Sequence, residues 1–471
     1  MTRAAPRSSD SPLKGPSMLL LRRLAASLLV PAAAAVAAAL AVVGAPPATA
    51  DEIRVYDGAT CEQKTERVLE VTDENWMEIR FRRATNKPLE KIETRLVIDI
   101  RRGETDPQVT AYRTAEEDLS HGNFTAARAG FATIAGGGWV KNAENDTYAF
   151  KPFPSAEGGK PKWYIVYAQY FFAKSIYLEG KSKGDKALVG YALRALDADT
   201  PGEKGAAGEK GFLQRTKEGK SRYYADALLL RADCLLELGQ YAEAATAFDD
   251  LFQKTIQNPA IGAKWTYQAK IGPGRIAEAQ GNGPKAEQEY TAAASALQGA
   301  MATAPDACAR RDLGRFFCEA RMRAARVILK SAEVANASAE YDRLRKYLQT
   351  NLSPDALRSQ LSGQPAPIVD AILQGAVAPS VQAVVSNGNG MSYLFRKQWV
   401  DALWAFNEVR VKHYSVREEV PRALYYLAKA ADGAAEQATK PEAKALFKGQ
   451  ADAARQELDR SWKGSSWASK K

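Results

Sequence analysis

Apolar residues form a nearly continuous run over residues 24–43, alternate with polar residues over 52–103, and then recur at spacings of three and four from 107 to about 462. Period two marks a strand with one buried face, and spacings of three and four mark a helix with an apolar stripe. The predicted order is an apolar leader, a small β region and a long helical region, so the fold class is mainly α. In the β region Ile53 and Val55 alternate with Arg54 and Tyr56, and Asp57-Gly58 reads as a hairpin turn because glycine accepts a positive φ. Further strands are predicted over 67–71, over 76–82 with Met77, Ile79 and Phe81 on one face, and over 95–101 with Leu96, Ile98 and Ile100 inward. Such short strands, four or five in number, predict a small antiparallel β-barrel or roll.

The leader has a basic start ending in Arg22-Arg23, an Ala/Leu/Val-rich core and Ala48-Thr49-Ala50 ahead of Asp51. That is the layout of a secretory signal peptide over 1–50, cleaved after Ala50. A membrane anchor retained over 24–43 is the competing reading, since the run approaches the ~20 residues of a spanning helix. Pro31 and the alanine content argue against it. The expected location is outside the cytoplasm, in the periplasm or cell envelope, with no stable membrane span after cleavage.

The helical region repeats itself. One unit over 225–258 contains Leu228, Ala232, Leu235, Gly239, Tyr241, Ala244, Phe248 and Leu251. The skeleton recurs as Ala115, Gly122, Phe124, Ala127, Phe131 and Ile134, and as Gly390, Tyr393, Trp399, Ala402, Phe406 and Val409. Looser copies hold Gly274, Ala277, Gly281, Ala286 and Tyr290, and Ala173, Ile176, Gly180, Ala187 and Tyr191. These residues resemble the tetratricopeptide repeat, a helix-turn-helix unit, and the resemblance implies an α-α superhelical solenoid whose first helices line a concave surface. Two departures are Arg231, where the family usually has leucine, and the displaced terminal proline, Pro259. The β region, through Asp51, Ile53, Val55, Asp57, Gly58, Ile92, Val97 and Ile100, resembles the small SH3-like or Lsm-like barrels of some secreted bacterial proteins. That resemblance implies a peptide- or protein-binding module; a module that caps the first face of the array is the alternative.

The expected domains are a β domain over 51–105, helical repeats over 106–352 with loop insertions at 136–162 and 200–220, a linker over 353–379, C-terminal repeats over 380–463 and a frayed tail over 464–471. A hairpin is expected near 148–153, and the polar, low-complexity stretch over 200–220 is expected to be a mobile loop.

Composition narrows the chemistry. Two histidines, His121 and His413, and four cysteines in 471 residues leave little material for zinc or iron-sulfur sites or histidine acid-base catalysis. Both histidines are expected in exposed loops. The net charge is +10, and removal of 1–50 takes away five basic residues and one acidic residue, leaving +6. That mild excess has no clustered stripe, so no nucleic-acid partner is expected. Cys308 and Cys318 fall on one predicted helix too far apart to bridge each other, and buried free thiols are the favoured state of the cysteines. Gly180-Lys181-Ser182 and Gly219-Lys220-Ser221 lack the earlier glycine of a phosphate loop, having Ser175 and Gln214 there. No cofactor, metal site or catalytic residue is assigned.

The expected function is a non-catalytic adaptor or scaffold that binds a protein or peptide along the concave surface. Trp163, Tyr167 and Phe171 are the aromatic candidates, because aromatics anchor binding hot spots. The tetratricopeptide resemblance adds Asp226, Leu229, Asp233, Leu236, Arg275 and Met391 as groove-facing positions. Two alternatives remain open: a carbohydrate- or peptidoglycan-associated enzyme with groove carboxylates, and a structural homo-oligomer.

Overall fold

A computed structural model describes residues 50–470 except 104–105, 142–147, 152–161, 198–210, 217–218, 259–260 and 376. The expectations for the leader over 1–49 lie outside the described residues.

The β region holds β1 (Asp51–Tyr56), β2 (Gln63–Val68), β3 (Glu70–Glu74), β4 (Glu78–Arg82), β5 (Glu90–Glu93) and β6 (Val97–Arg101). They form two three-stranded antiparallel sheets, in orders β2-β1-β6 and β3-β4-β5. Register places Ile53 opposite Ile100, and Ile79 opposite Ile92. The alternation therefore turns Ile53, Val55, Val68, Val71, Ile79, Phe81 and Ile100 into one shared core. Met77 does not join Ile79 and Phe81, being 38% exposed just before β4 begins. The turn after β1 also differs from a two-residue hairpin. Asp57 Oδ1 accepts from the Ala59 and Thr60 amides, and Cys61, not Gly58, takes the left-handed φ of 59°.

The rest is helical: α1 (Pro107–Ser120), α2 (Phe124–Ala135), α3 (Trp163–Lys183), α4 (Lys186–Leu196), α5 (Phe212–Arg215), α6 (Tyr224–Leu238), α7 (Tyr241–Gln257), α8 (Ala263–Lys270), α9 (Gly272–Ala279), α10 (Gly283–Ala302), α11 (Ala307–Ala335), α12 (Ser338–Asn351), α13 (Pro354–Gln360), α14 (Ala366–Gln374), α15 (Ala378–Phe395), α16 (Trp399–Lys412), α17 (Val420–Gln437) and α18 (Pro441–Ser461). A short hairpin of β7 (Gly138–Lys141) and β8 (Tyr148–Lys151) follows α2. Most long helices pack chiefly on their sequence neighbours, such as α10 on α11 and α17 on α18. Among the described residues no single helix is long and apolar enough to cross a membrane.

Several connections are more ordered than the sequence suggests. Over 200–220, Phe212 and Leu213 are buried on α5, with Phe212 packed near Tyr170. The expected linker contains α13 and α14, which bury Leu357, Val369 and Ile372. In the tail, Trp467 packs on Tyr425 and Tyr426 beneath Arg422. An isolated large apolar residue in a polar stretch is enough to hold such a segment against a core, and periodicity does not register it. In the loosest repeat the turn is at Gly184, with a φ of 66°, while Gly180 lies inside α3.

The β region docks along the starts of four helices. Trp76 sits in the helical core, edge-on to Tyr224 at 5.0 Å. Arg102 lies over Trp163 at the start of α3, and Arg95 packs by Gly262 and pairs with Asp306 Oδ2 at 2.6 Å. Cys61 and Cys308 are joined in a disulfide across 247 residues, which corrects the expectation of free thiols for this pair. Cys234 and Cys318 are free and buried.

Candidate functional site

On α3, Tyr167, Tyr170, Lys174 and Tyr177 recur at spacings of three and four and so share one face. On α6 the same spacing aligns Asp226, Leu229, Asp233 and Leu236, all half-buried. Arg275 on α9 reaches Asp233 with Nη1 at 2.6 Å from Oδ1. Burial nevertheless holds the Asp233 carboxyl above its usual range, with the Arg275 charge pulling against it. Asp226 is raised by burial too, and its nearest cation is Lys264 at 3.8 Å. The Lys174 ammonium stands over the Tyr170 and Phe171 rings at 5.9 and 5.5 Å, and burial lowers its pKa. Among the described residues no carboxylate reaches ion-pair distance of Lys174.

At the start of these helices lies a cleft of about 670 Å³ between the β region, α1, α3 and the turn before α6. Asp106, outside the lining, joins the two helix starts beside it. It caps α1 by accepting from the Gln108 amide at 2.9 Å, and it also accepts from Lys162 Nζ at 2.8 Å and Tyr164 Oη at 3.0 Å, so the start of α3 is tied to that of α1. The Lys162 hydrogen bond, followed by those from Gln108 and Tyr164, holds the Asp106 carboxyl down at about 2. Trp163 then stands edge-on to Tyr112 at 5.4 Å and Tyr167 at 5.2 Å. Tyr223 stacks on Tyr170 at 5.0 Å and meets Tyr167 edge-on at 4.7 Å.

The charged lining comes from both regions. Arg102 is neutralised: its Nη1 donates to Asp51 Oδ2 at 3.1 Å and Val71 O at 2.7 Å, and its Nη2 pairs with Glu74, although its Nε is buried without a partner. Arg222 lies over Tyr223 at 4.8 Å and donates from Nη2 to Tyr223 Oη at 3.0 Å. Its Nη1 and the Tyr167 Oη are buried without a hydrogen-bond partner. Glu116 accepts from Tyr112 Oη at 2.9 Å, and its pKa is raised by burial and, secondarily, by Asp99.

The candidates from sequence separate accordingly. Trp163 and Tyr167 line the cleft; Asp226, Leu229, Asp233 and Leu236 share one half-buried face of α6, and Arg275 is half-buried on α9. Phe171 belongs to the core, stacked on Phe131 at 5.5 Å. Met391 is 3% exposed within the C-terminal hydrophobic cluster, which corrects its expected groove position. Asn387, one turn before Met391, is also fully buried and donates to Glu419 Oε2 at 2.8 Å. Arg113, Glu116, Lys174 and Arg222 escaped sequence reading, because isolated charged residues carry no motif. His413 is 4% exposed rather than in an open loop, and burial lowers its pKa. No protein-family model matches the chain, and no curated protein matches its sequence.

Proposed function

We propose that the protein is an exported, non-catalytic adaptor: a tetratricopeptide-like solenoid with a small β module along one edge, binding a peptide or helix of a partner protein. The observation that carries this reading is the set of half-buried side chains on α3, α6 and α9, among which Lys174 has no carboxylate at ion-pair distance among the described residues and Asp226 is poorly compensated. Such a surface retains unsatisfied polar and apolar capacity for a partner. Repeat architecture is supported by a shared packing pair. A small residue in the first helix is followed sixteen residues later by an aromatic ring in the second, as in Gly274 with Tyr290 and Gly390 with Phe406. Export is supported by the Cys61–Cys308 disulfide, since oxidising compartments preserve such bonds.

The test substitutes two half-buried positions on α3 and α6, Lys174→Glu with Leu229→Ser, in protein shown to be folded by circular dichroism. The parent protein is expected to capture from cross-linked envelope extract one partner that rebinds when purified, and the variant is expected to lose it. Recovery of glycan alone, or only of further copies of the chain, would sink the adaptor reading. One observation favours carbohydrate chemistry as a second reading: Glu116, with its raised pKa, and Asp99 line the same cleft. Sugar release from peptidoglycan that disappears in Glu116→Gln would establish it.

A further inference from the structure

The cleft between the β region and α1, α3 and α6 holds two cations that, among the described residues, no carboxylate meets directly. Three of its guanidiniums are neutralised internally: Arg67 by Glu52 at 3.2 Å, Arg101 by Asp99 at 3.6 Å, and Arg102 by Asp51 and Glu74. Arg113 and Arg222 have no carboxylate within ion-pair distance among the described residues. Among the described residues Arg113 donates only to the Arg102 carbonyl, at 2.6 Å. For Arg222, burial opposes the charge, yet the Tyr223 oxygen and Glu74 keep the group protonated, so it is a permanent cation. Glu116, on the same wall, is biased by burial toward its neutral form, and Glu74 acts on Arg222 without reaching ion-pair distance.

Buried charges and buried polar atoms are ordinarily paired, because an unpaired one forfeits its hydration. Here Arg222 Nη1 and Tyr167 Oη, both orphaned, belong to residues that line the same cleft. A carboxylate offers acceptors to a guanidinium edge and a phenol together. Inorganic phosphate could meet the same two donors but would leave the aromatic wall unfilled. The remaining wall is aromatic, formed by Tyr112, Trp163, Tyr167 and Tyr223, and it suits a flat frame. The volume of about 670 Å³ is that of a small-molecule site.

We infer that this cleft binds a small monocarboxylic acid carried on a flat ring, with the carboxylate held by Arg222 and Tyr167. The site goes beyond the adaptor reading and does not depend on it, because Lys174, Asp226, Leu229, Asp233 and Arg275 do not line the cleft. Calorimetric titration of the intact, oxidised protein with benzoate and with indole-3-acetate tests it, using benzamide and inorganic phosphate as comparators. Saturable binding of at least one acid is expected, with benzamide and phosphate at least ~10-fold weaker, and a loss of ~10-fold or more in Arg222→Gln. If Arg222→Gln does not fold, Tyr167→Phe replaces it: removal of one hydroxyl should weaken the acid severalfold. Failure of both acids to bind at millimolar concentration overturns the proposal, as does equal affinity for benzamide or phosphate, or undiminished binding by the variant.

Discussion

Cys61 occupies a left-handed conformation that few residues other than glycine adopt, in a loop bonded from Asp57 N to Glu62 O. Its partner Cys308 lies in the first turn of α11, where Arg311 reaches back over the Tyr56 ring at 4.6 Å. A bond closing so long a loop restricts the unfolded chain strongly, and its loss is expected to cost about 2–5 kcal/mol. Cys61→Ser with Cys308→Ser, followed by denaturant unfolding, measures this; an unchanged midpoint would show that the surrounding contacts suffice. His413 supplies a pH dependence. Burial holds its pKa below the usual 6.5, while Glu408 pulls it up and Lys412 down. The unfolded chain therefore binds the proton first, and stability falls as pH drops below about 6.5. His413→Gln should flatten that part of the stability-pH curve, and an unaltered slope would remove His413 as its source. Neither feature was legible in one dimension: a cysteine's partner 247 residues away and a histidine's burial are both set by folding.

Among the elements, the same turn recurs. Gly239 donates to Leu236 O and Gln240 to Leu235 O, at 3.0 and 2.9 Å. Equivalent pairs of bonds close the turns at Gly122, Gly184, Gly281 and Lys397. This is the Schellman arrangement, in which a left-handed residue ends the helix and its last carbonyls are satisfied. Glycine fills it except at Lys397, whose φ is 57°. Lys397→Gly is therefore expected to stabilise the protein by about 1 kcal/mol, read as a rise in thermal midpoint. The repeated glycine made most of these turns legible, whereas Lys397 carried no signal. Between helices the opposite substitution is costly. A Cβ at Gly274 would lie 2.6 Å from the Tyr290 ring, so Gly274→Ala should destabilise by about 1–3 kcal/mol despite its better helix propensity. A stabilised variant would mean that Tyr290 can move aside.

For the whole molecule, the β region acts as a brace. Trp76 leaves the β core, donates its amide to Gly219 O at 2.9 Å and packs among helical residues, while Arg95 and the disulfide reach α11. Trp76→Ala is expected to cost about 3–5 kcal/mol and to raise hydrogen exchange at the starts of α6 and α11 together. Exchange confined to the β region would show that the two parts are not coupled. Hydrophobic periodicity by itself determined that a β region precedes a mainly helical chain, and it located the paired helices, because period and turn residues are properties of neighbouring positions. It also brought out Trp163 and Tyr167 through aromatic density. The docking of the β region, the pairing of Cys61 with Cys308, the burial of Met391 and the meeting of Arg222 with Tyr167 were decided only by tertiary structure. Each depends on which faces of distant segments come together, and that choice is made by summed packing and charge compensation over the whole fold.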